Sequence, residues 1–142
     1  MSRKKGLAVP SFKKAMPKST EQSNIPQDSH FLPIGDKIEK MIAYGVSVIE
    51  KMPRGQKPIL GKVIEGHMWD LLYHTTKAGR IEDKAYNLQE AVVYVDMLRS
   101  SIRSGFIRGV ISPTAYKSWV VHNDSIGIDV GNWHRSLKPK NK

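Results

Sequence analysis

The sequence predicts an all-α protein, an up-and-down four-helix bundle, and three observations carry that prediction. Apolar residues recur at steps of three and four through most of the middle of the chain, and no period-two run of strand length competes. Proline and glycine punctuate that middle into four segments joined by short links. The 142 residues suit one domain, and helices of roughly 20 residues, each about 30 Å long, pack up and down when short links join them.

The first helix follows from Ile34, Ile38, Met41, Ile42, Val48, Ile49 and Met52, with Pro53 ending it and Arg54-Gly55 as the turn. The second follows Lys57, with Pro58 suited to the first turn, and its stripe is Leu60, Val63, Ile64, His67, Leu71, His74 and Ala78. Gly79 then reads as a left-handed stop. A third helix starts near Asp83 and carries Leu88, Ala91, Val92, Val95, Leu98 and Ile102 before a turn over 105–112. Ser112-Pro113 is an N-cap and first-turn pair for the fourth, whose stripe is Tyr116, Trp119, Val120, Asn123, Ile126, Val130 and Trp133.

Two features predict more than a monomer. Tyr86, Val93 and Met97 lie nearly opposite the main stripe of the third helix, and a helix apolar on both faces has both covered. Gly127 and Gly131 stand one turn apart in the fourth helix, where each costs about 1 kcal/mol relative to Ala and opens a flank to close backbone approach.

Charge divides the chain differently. The formal net charge is +10, yet residues 34–134 form a nearly neutral bundle domain. Residues 1–33 hold Arg3, Lys4, Lys5, Lys13, Lys14 and Lys18 against Glu21 and Asp28, together with Pro10, Pro17, Pro26 and Pro33. Such a segment buries too little apolar surface to order itself and is expected to be an arm that is disordered unless bound. Residues 135–142 add Arg135, Lys138, Lys140 and Lys142 without an acid, a basic C-terminal tail. The partner these charges suit is nucleic acid first and an anionic membrane surface second.

Several function classes are excluded or weakened. The absence of cysteine removes a disulfide scaffold, a thiolate zinc site and a thiol nucleophile, and fits a cytoplasmic location. The longest stretch without Asp, Glu, Lys or Arg is Met41–Ile49, nine residues, against the roughly 20 that span a bilayer. A di-iron bundle needs Glu-x-x-His on two helices, and Glu65-Gly66-His67 has the wrong spacing. No phosphate loop, nucleophile elbow or spaced acid pair occurs, so neither catalysis nor a cofactor is expected. What does stand out is Arg99 and Arg103, one turn apart at the edge of the third helix's stripe, with Arg108 in the turn beyond. Their stems can lie along apolar surface while two guanidinium forks face one way, suited to phosphates or carboxylates.

Three segments carry a family resemblance. Ile38-Glu39-Lys40-Met41-Ile42-Ala43-Tyr44 with Met52-Pro53-Arg54, then Met97-Leu98-Arg99-Ser100-Ser101-Ile102-Arg103, then Gly127-Ile128-Asp129-Val130-Gly131-Asn132-Trp133 occur in that order. Over about residues 36–140 the chain resembles the Avd (accessory variability determinant) family of diversity-generating retroelements. That family lies within a wider bacterial four-helix-bundle group that includes proteins encoded in ribosomal RNA intervening sequences. The resemblance implies a pentameric, barrel-like assembly and a protein that is not an enzyme. It implies binding to the retroelement's reverse transcriptase and template RNA, and support of complementary DNA synthesis that is error-prone at adenines. Arg99 and Arg103 would then contact polymerase or RNA, and Gly127, Gly131 and Trp133 would be packing residues of the oligomer. The alternative it leaves open is a structural or ribosome-associated bundle without a polymerase partner.

Overall fold

A computed structural model describes residues 28–80 and 83–137. Its helices are α1 (Phe31–Glu50), α2 (Lys62–Gly79), α3 (Lys84–Ile107) and α4 (Pro113–Arg135), and a π-helical turn, Lys57–Gly61, leads into α2. α1 packs on α2, α2 on α3, α3 on α4 and α4 back on α1, the cyclic order of an up-and-down bundle. No strand occurs among the described residues.

The core is the set of stripes laid against one another. Ile38, Met41, Ile64, Leu71, Leu88, Leu98, Ile102, Trp119, Ile126 and Trp133 are all buried, as expected from their spacing. Two predicted core residues face outward instead: Val63 is 47% exposed and Val92 36% exposed. On α2, Met68, outside the predicted stripe, is buried while Val63 is not, so the inward face of that helix is turned by about one position relative to the pattern. Asn123 is buried on α4 and donates through Nδ2 to the Val95 carbonyl on α3 at 3.0 Å.

Helix ends and glycines account for the close approaches. Ser112 caps α4 as expected, its Oγ accepting from Ala115 N at 3.1 Å. α1 begins at Phe31 rather than Ile34, because Pro33 sits in the first helical turn, where its missing N–H has no intrahelical partner to lose. Residues 28–33, expected in the arm, therefore belong to the folded unit. Gly79 is helical and not left-handed; a Cβ there would meet Phe31 Cβ at 2.8 Å, so its role is to let α1 close on α2. Among the described residues the glycine with positive φ is Gly109, at 75°, and it turns α3 into α4.

The two ends of the bundle are thereby distinct. The start of α1, the end of α2, the start of α3 and the end of α4 meet at one end, hereafter the tail end. The π-helical turn and the α3–α4 turn meet at the other, the turn end, where Arg108 Nη2 donates to Gln56 Oε1 at 3.2 Å.

Candidate nucleic-acid and protein interface

The predicted arginine pair sits in the half of α3 nearer the turn end, and its members differ. Arg99 donates through Nη1 to Asp96 Oδ1 at 2.9 Å and through Nη2 to Asp124 Oδ1 at 3.1 Å. The Asp124 carboxylate, with Asp96 assisting and burial acting against both, holds this guanidinium more firmly protonated than usual. Its charge is thus matched inside the protomer. Arg103, one turn on, is exposed, and among the described residues it has no hydrogen-bond or ion-pair partner. The pair is one tie between α3 and α4 and one guanidinium open to solvent, not two parallel forks. The sequence could not reveal this, because Asp124 arrives from another helix.

Beside Arg99 a groove of about 490 Å³ runs between α3 and α4, with Val95, Gly127, Gly131, Ile128 and Arg135 among its walls. A Cβ on Gly127 would meet Val95 Cγ1 at 3.0 Å, so that glycine serves the packing of α4 on α3 within the protomer. At Gly131 a Cβ would meet only the Arg135 side chain, at 3.6 Å, leaving that flank open. Ile128 is 64% exposed on the groove's rim, and Tyr86, Val93 and Met97 are exposed along the outer face of α3. Arg135, expected in a tail, is the last residue of α4 and hydrogen-bonds to Asn132.

Trp133 corrects the expectation of an oligomer contact. Its side chain is fully buried within the protomer, which removes it from any surface between copies. It is the floor of a tie that sequence reasoning missed. Trp133 Nε1 donates to Asp28 Oδ2 at 3.2 Å, and the His30 ring stacks on the indole with centroids 5.7 Å apart. Asp28 also pairs with Lys84 Nζ at 3.3 Å, accepts from His30 N at 2.9 Å, and donates its own N–H to the Gly79 carbonyl at 2.8 Å. Burial alone would raise the Asp28 pKa, but these hydrogen bonds from His30, Lys84 and Trp133 outweigh it and hold the carboxyl well below the usual range. Asp-Ser-His ahead of a helical run is the signal that could have exposed this N-terminal tie.

A different surface lies on the α2–α3 flank. His67 and His74, expected on the core stripe, flank the Tyr94 ring at centroid distances of 5.8 and 5.6 Å, and His74 Nδ1 lies 2.8 Å from Asn87 Oδ1. Asp70 above all, then burial and Glu90, push the Tyr94 hydroxyl upward, which marks this flank as locally negative. It is a poor surface for phosphates. Among the described residues no three His, Asp or Glu side chains converge to hold a metal ion, and no helix is long and apolar enough to cross a membrane.

The remaining predicted contacts, Arg3, Lys4, Lys5, Lys13, Lys14, Lys138 and Lys140, lie outside the described residues. No curated protein and no solved structure matches the chain. The profile of the bAvd-like family matches residues 32–137, the whole of the bundle. The chain belongs to the bAvd-like family.

Proposed function

We propose that this chain is a non-catalytic accessory protein of a diversity-generating retroelement. It binds the element's reverse transcriptase and template RNA in the cytoplasm and supports mutagenic complementary DNA synthesis, the chemistry belonging to the polymerase. The observation that carries this reading is the family match over the entire bundle, residues 32–137. A net charge of +10 supports an acidic partner, and the all-helical fold supports a scaffold. Five copies in a barrel are the assembly this reading calls for, with the open flank at Gly131 and the exposed Tyr86, Val93 and Met97 as contact surface between copies.

Within that reading Arg103 and Arg108 meet the polymerase or its RNA, and Arg99 holds α3 to α4 beside them. Co-purification of the reverse transcriptase with Arg103→Ala is the test. The expected result is at least a tenfold loss of bound polymerase with helicity and assembly mass unchanged. Full retention of polymerase by Arg103→Ala and by Arg103→Ala with Arg108→Ala would remove this edge of the bundle from the site.

A further inference from the structure

Residues 50–62, the end of α1 and the entry to α2, hold Lys51, Arg54, Lys57 and Lys62 against Glu50 alone. All four cations are exposed, and none is ion-paired with a described residue. The ion pairs among the described residues lie elsewhere, on Asp28, Asp36, Asp96, Asp124 and Asp129. Beside this turn a cleft of about 620 Å³ opens between α1 and α2. Ile49 and Gly61 are buried at its floor, where a Cβ on Gly61 would meet Ile49 Cγ2 at 2.8 Å. Lys57, Lys62 and Trp69 stand exposed at its rim. Trp69 is 51% exposed, whereas Trp119 and Trp133 are fully buried. Its Nε1 donates to Glu65 Oε2 at 3.4 Å, one turn back, which ties the edge of the ring to its own helix. Gly66 lies between Lys62 and Trp69 along α2, and a Cβ there would meet nothing within 4 Å. Position 66 therefore puts no side chain between the lysine and the indole.

We propose that this cleft binds single-stranded RNA, one unpaired base stacking on the Trp69 indole while Lys57 and Lys62 take the adjoining phosphates. The inference rests on the RNA-binding reading above and assigns it a site. An exposed aromatic face beside unpaired cations holds a strand without reading its sequence, because every base has a π-face and every nucleotide a charge. A paired base is covered by its neighbours in the duplex, so the indole selects for a single strand. The chemistry suits nucleic acid better than an acidic peptide. An extended peptide docks through main-chain hydrogen bonds. Here the amides of Gln56, Lys57, Ile59 and Gly61 already donate to the Pro53 and Gln56 carbonyls, and Pro53 and Pro58 have no amide to give. What the cleft offers is side-chain charge and a ring. It also continues the arginine edge, since Arg108 Nη2 donates to Gln56 Oε1 at 3.2 Å and Lys57 follows Gln56 in the turn. The α2–α3 flank, by contrast, carries the negative charge of Asp70 and Glu90 around Tyr94.

The test titrates the full chain with an oligouridylate of about 12 nucleotides, a single strand without structure of its own, and follows tryptophan emission. With Trp119 and Trp133 buried, quenching reports on Trp69. The single strand is expected to quench the emission, and the same strand annealed to oligoadenylate is expected to bind without quenching. In filter binding, Trp69→Ala should weaken the single-strand complex about fivefold or more with helicity unchanged, and Trp69→Phe should stay within about twofold of the parent chain. Lys57→Gln with Lys62→Gln should keep the quenching at saturation and flatten the log–log salt dependence by roughly 1.4, the value for two single-strand phosphate contacts. RNA that binds without quenching, or with affinity and salt slope unchanged in these variants, overturns the cleft and leaves RNA binding standing. A chain that binds neither RNA overturns both readings. Quenching by poly-L-glutamate equal to that by oligouridylate overturns the assignment to RNA and gives the cleft to an acidic protein segment.

Discussion

The two ends of this bundle are held by different means. At the tail end, Asp28, Gly79, Lys84 and Trp133 come from distant parts of the chain and are joined by polar contacts around a buried indole. At the turn end, apart from the exposed Arg108–Gln56 hydrogen bond, the ties are more local: Gly109 reverses the chain, Ile111 N donates to the Gly105 carbonyl at 3.1 Å, and Phe106 stacks on Tyr116 with centroids 4.3 Å apart. Phe106 and Ile107 remain exposed there, whereas Trp133 is sealed. An end built from long-range contacts fails as a unit when one member is lost. An end built from local turns loses one contact at a time.

Stability measurements can break that contrast. Trp133→Ala removes a fully buried ring together with the donor that holds Asp28, and should cost about 3–5 kcal/mol in denaturant unfolding. Phe106→Ala, which strips a half-exposed stacking partner at the turn end, should cost about 1 kcal/mol. Equal losses from the two variants would show that the ends do not differ as described.

Acid should find the tail end first. Because the folded Asp28 carboxyl titrates below its ordinary value of 3.8, its contribution to stability is complete above that value and fades as pH falls toward the lowered one. Asp28→Asn should therefore lose about 2 kcal/mol near neutral pH, and its difference from the parent chain should shrink progressively as pH falls below the ordinary value of 3.8. A constant difference across that range would mean that the aspartate's charge is not what binds the arm's root.

A smaller effect on stability, though a large one on assembly, is expected at Gly131. Its flank is open within the protomer, so Gly131→Leu should change unfolding by less than about 1 kcal/mol, since it also removes a helical glycine. The same substitution fills the α3–α4 groove and should lower the assembly mass in size-exclusion chromatography. An unaltered mass would move the contact between copies elsewhere, with the outer face of α3 next in order.

These contrasts mark what could be read from the residues alone. Helix number, the Ser112 cap and most of the core follow from apolar spacing and the Ser112-Pro113 pair, since both act within a few residues of each other. The site was less legible, because its geometry depends on pairs from different helices. Spacing alone leaves Arg99 a free fork, whereas Asp124 meets it from α4, and spacing buries Trp133 without revealing that Asp28 and His30 cover it. Val63 and Val92 lie at the margins of their stripes, where spacing alone does not fix the inward face. Apolar spacing starts the first helix at Ile34 and not at Phe31, because a proline such as Pro33 breaks a helix everywhere except in its first turn.

As proposed above, this bAvd-like chain would be an oligomeric scaffold for a polymerase and its RNA. Native mass spectrometry of the full chain, alone and after co-expression with the retroelement's reverse transcriptase and template RNA, tests it most directly. The expected masses are those of five copies alone, and of five copies with polymerase and RNA when all three are present. A monomer that leaves both polymerase and RNA unbound would contradict it.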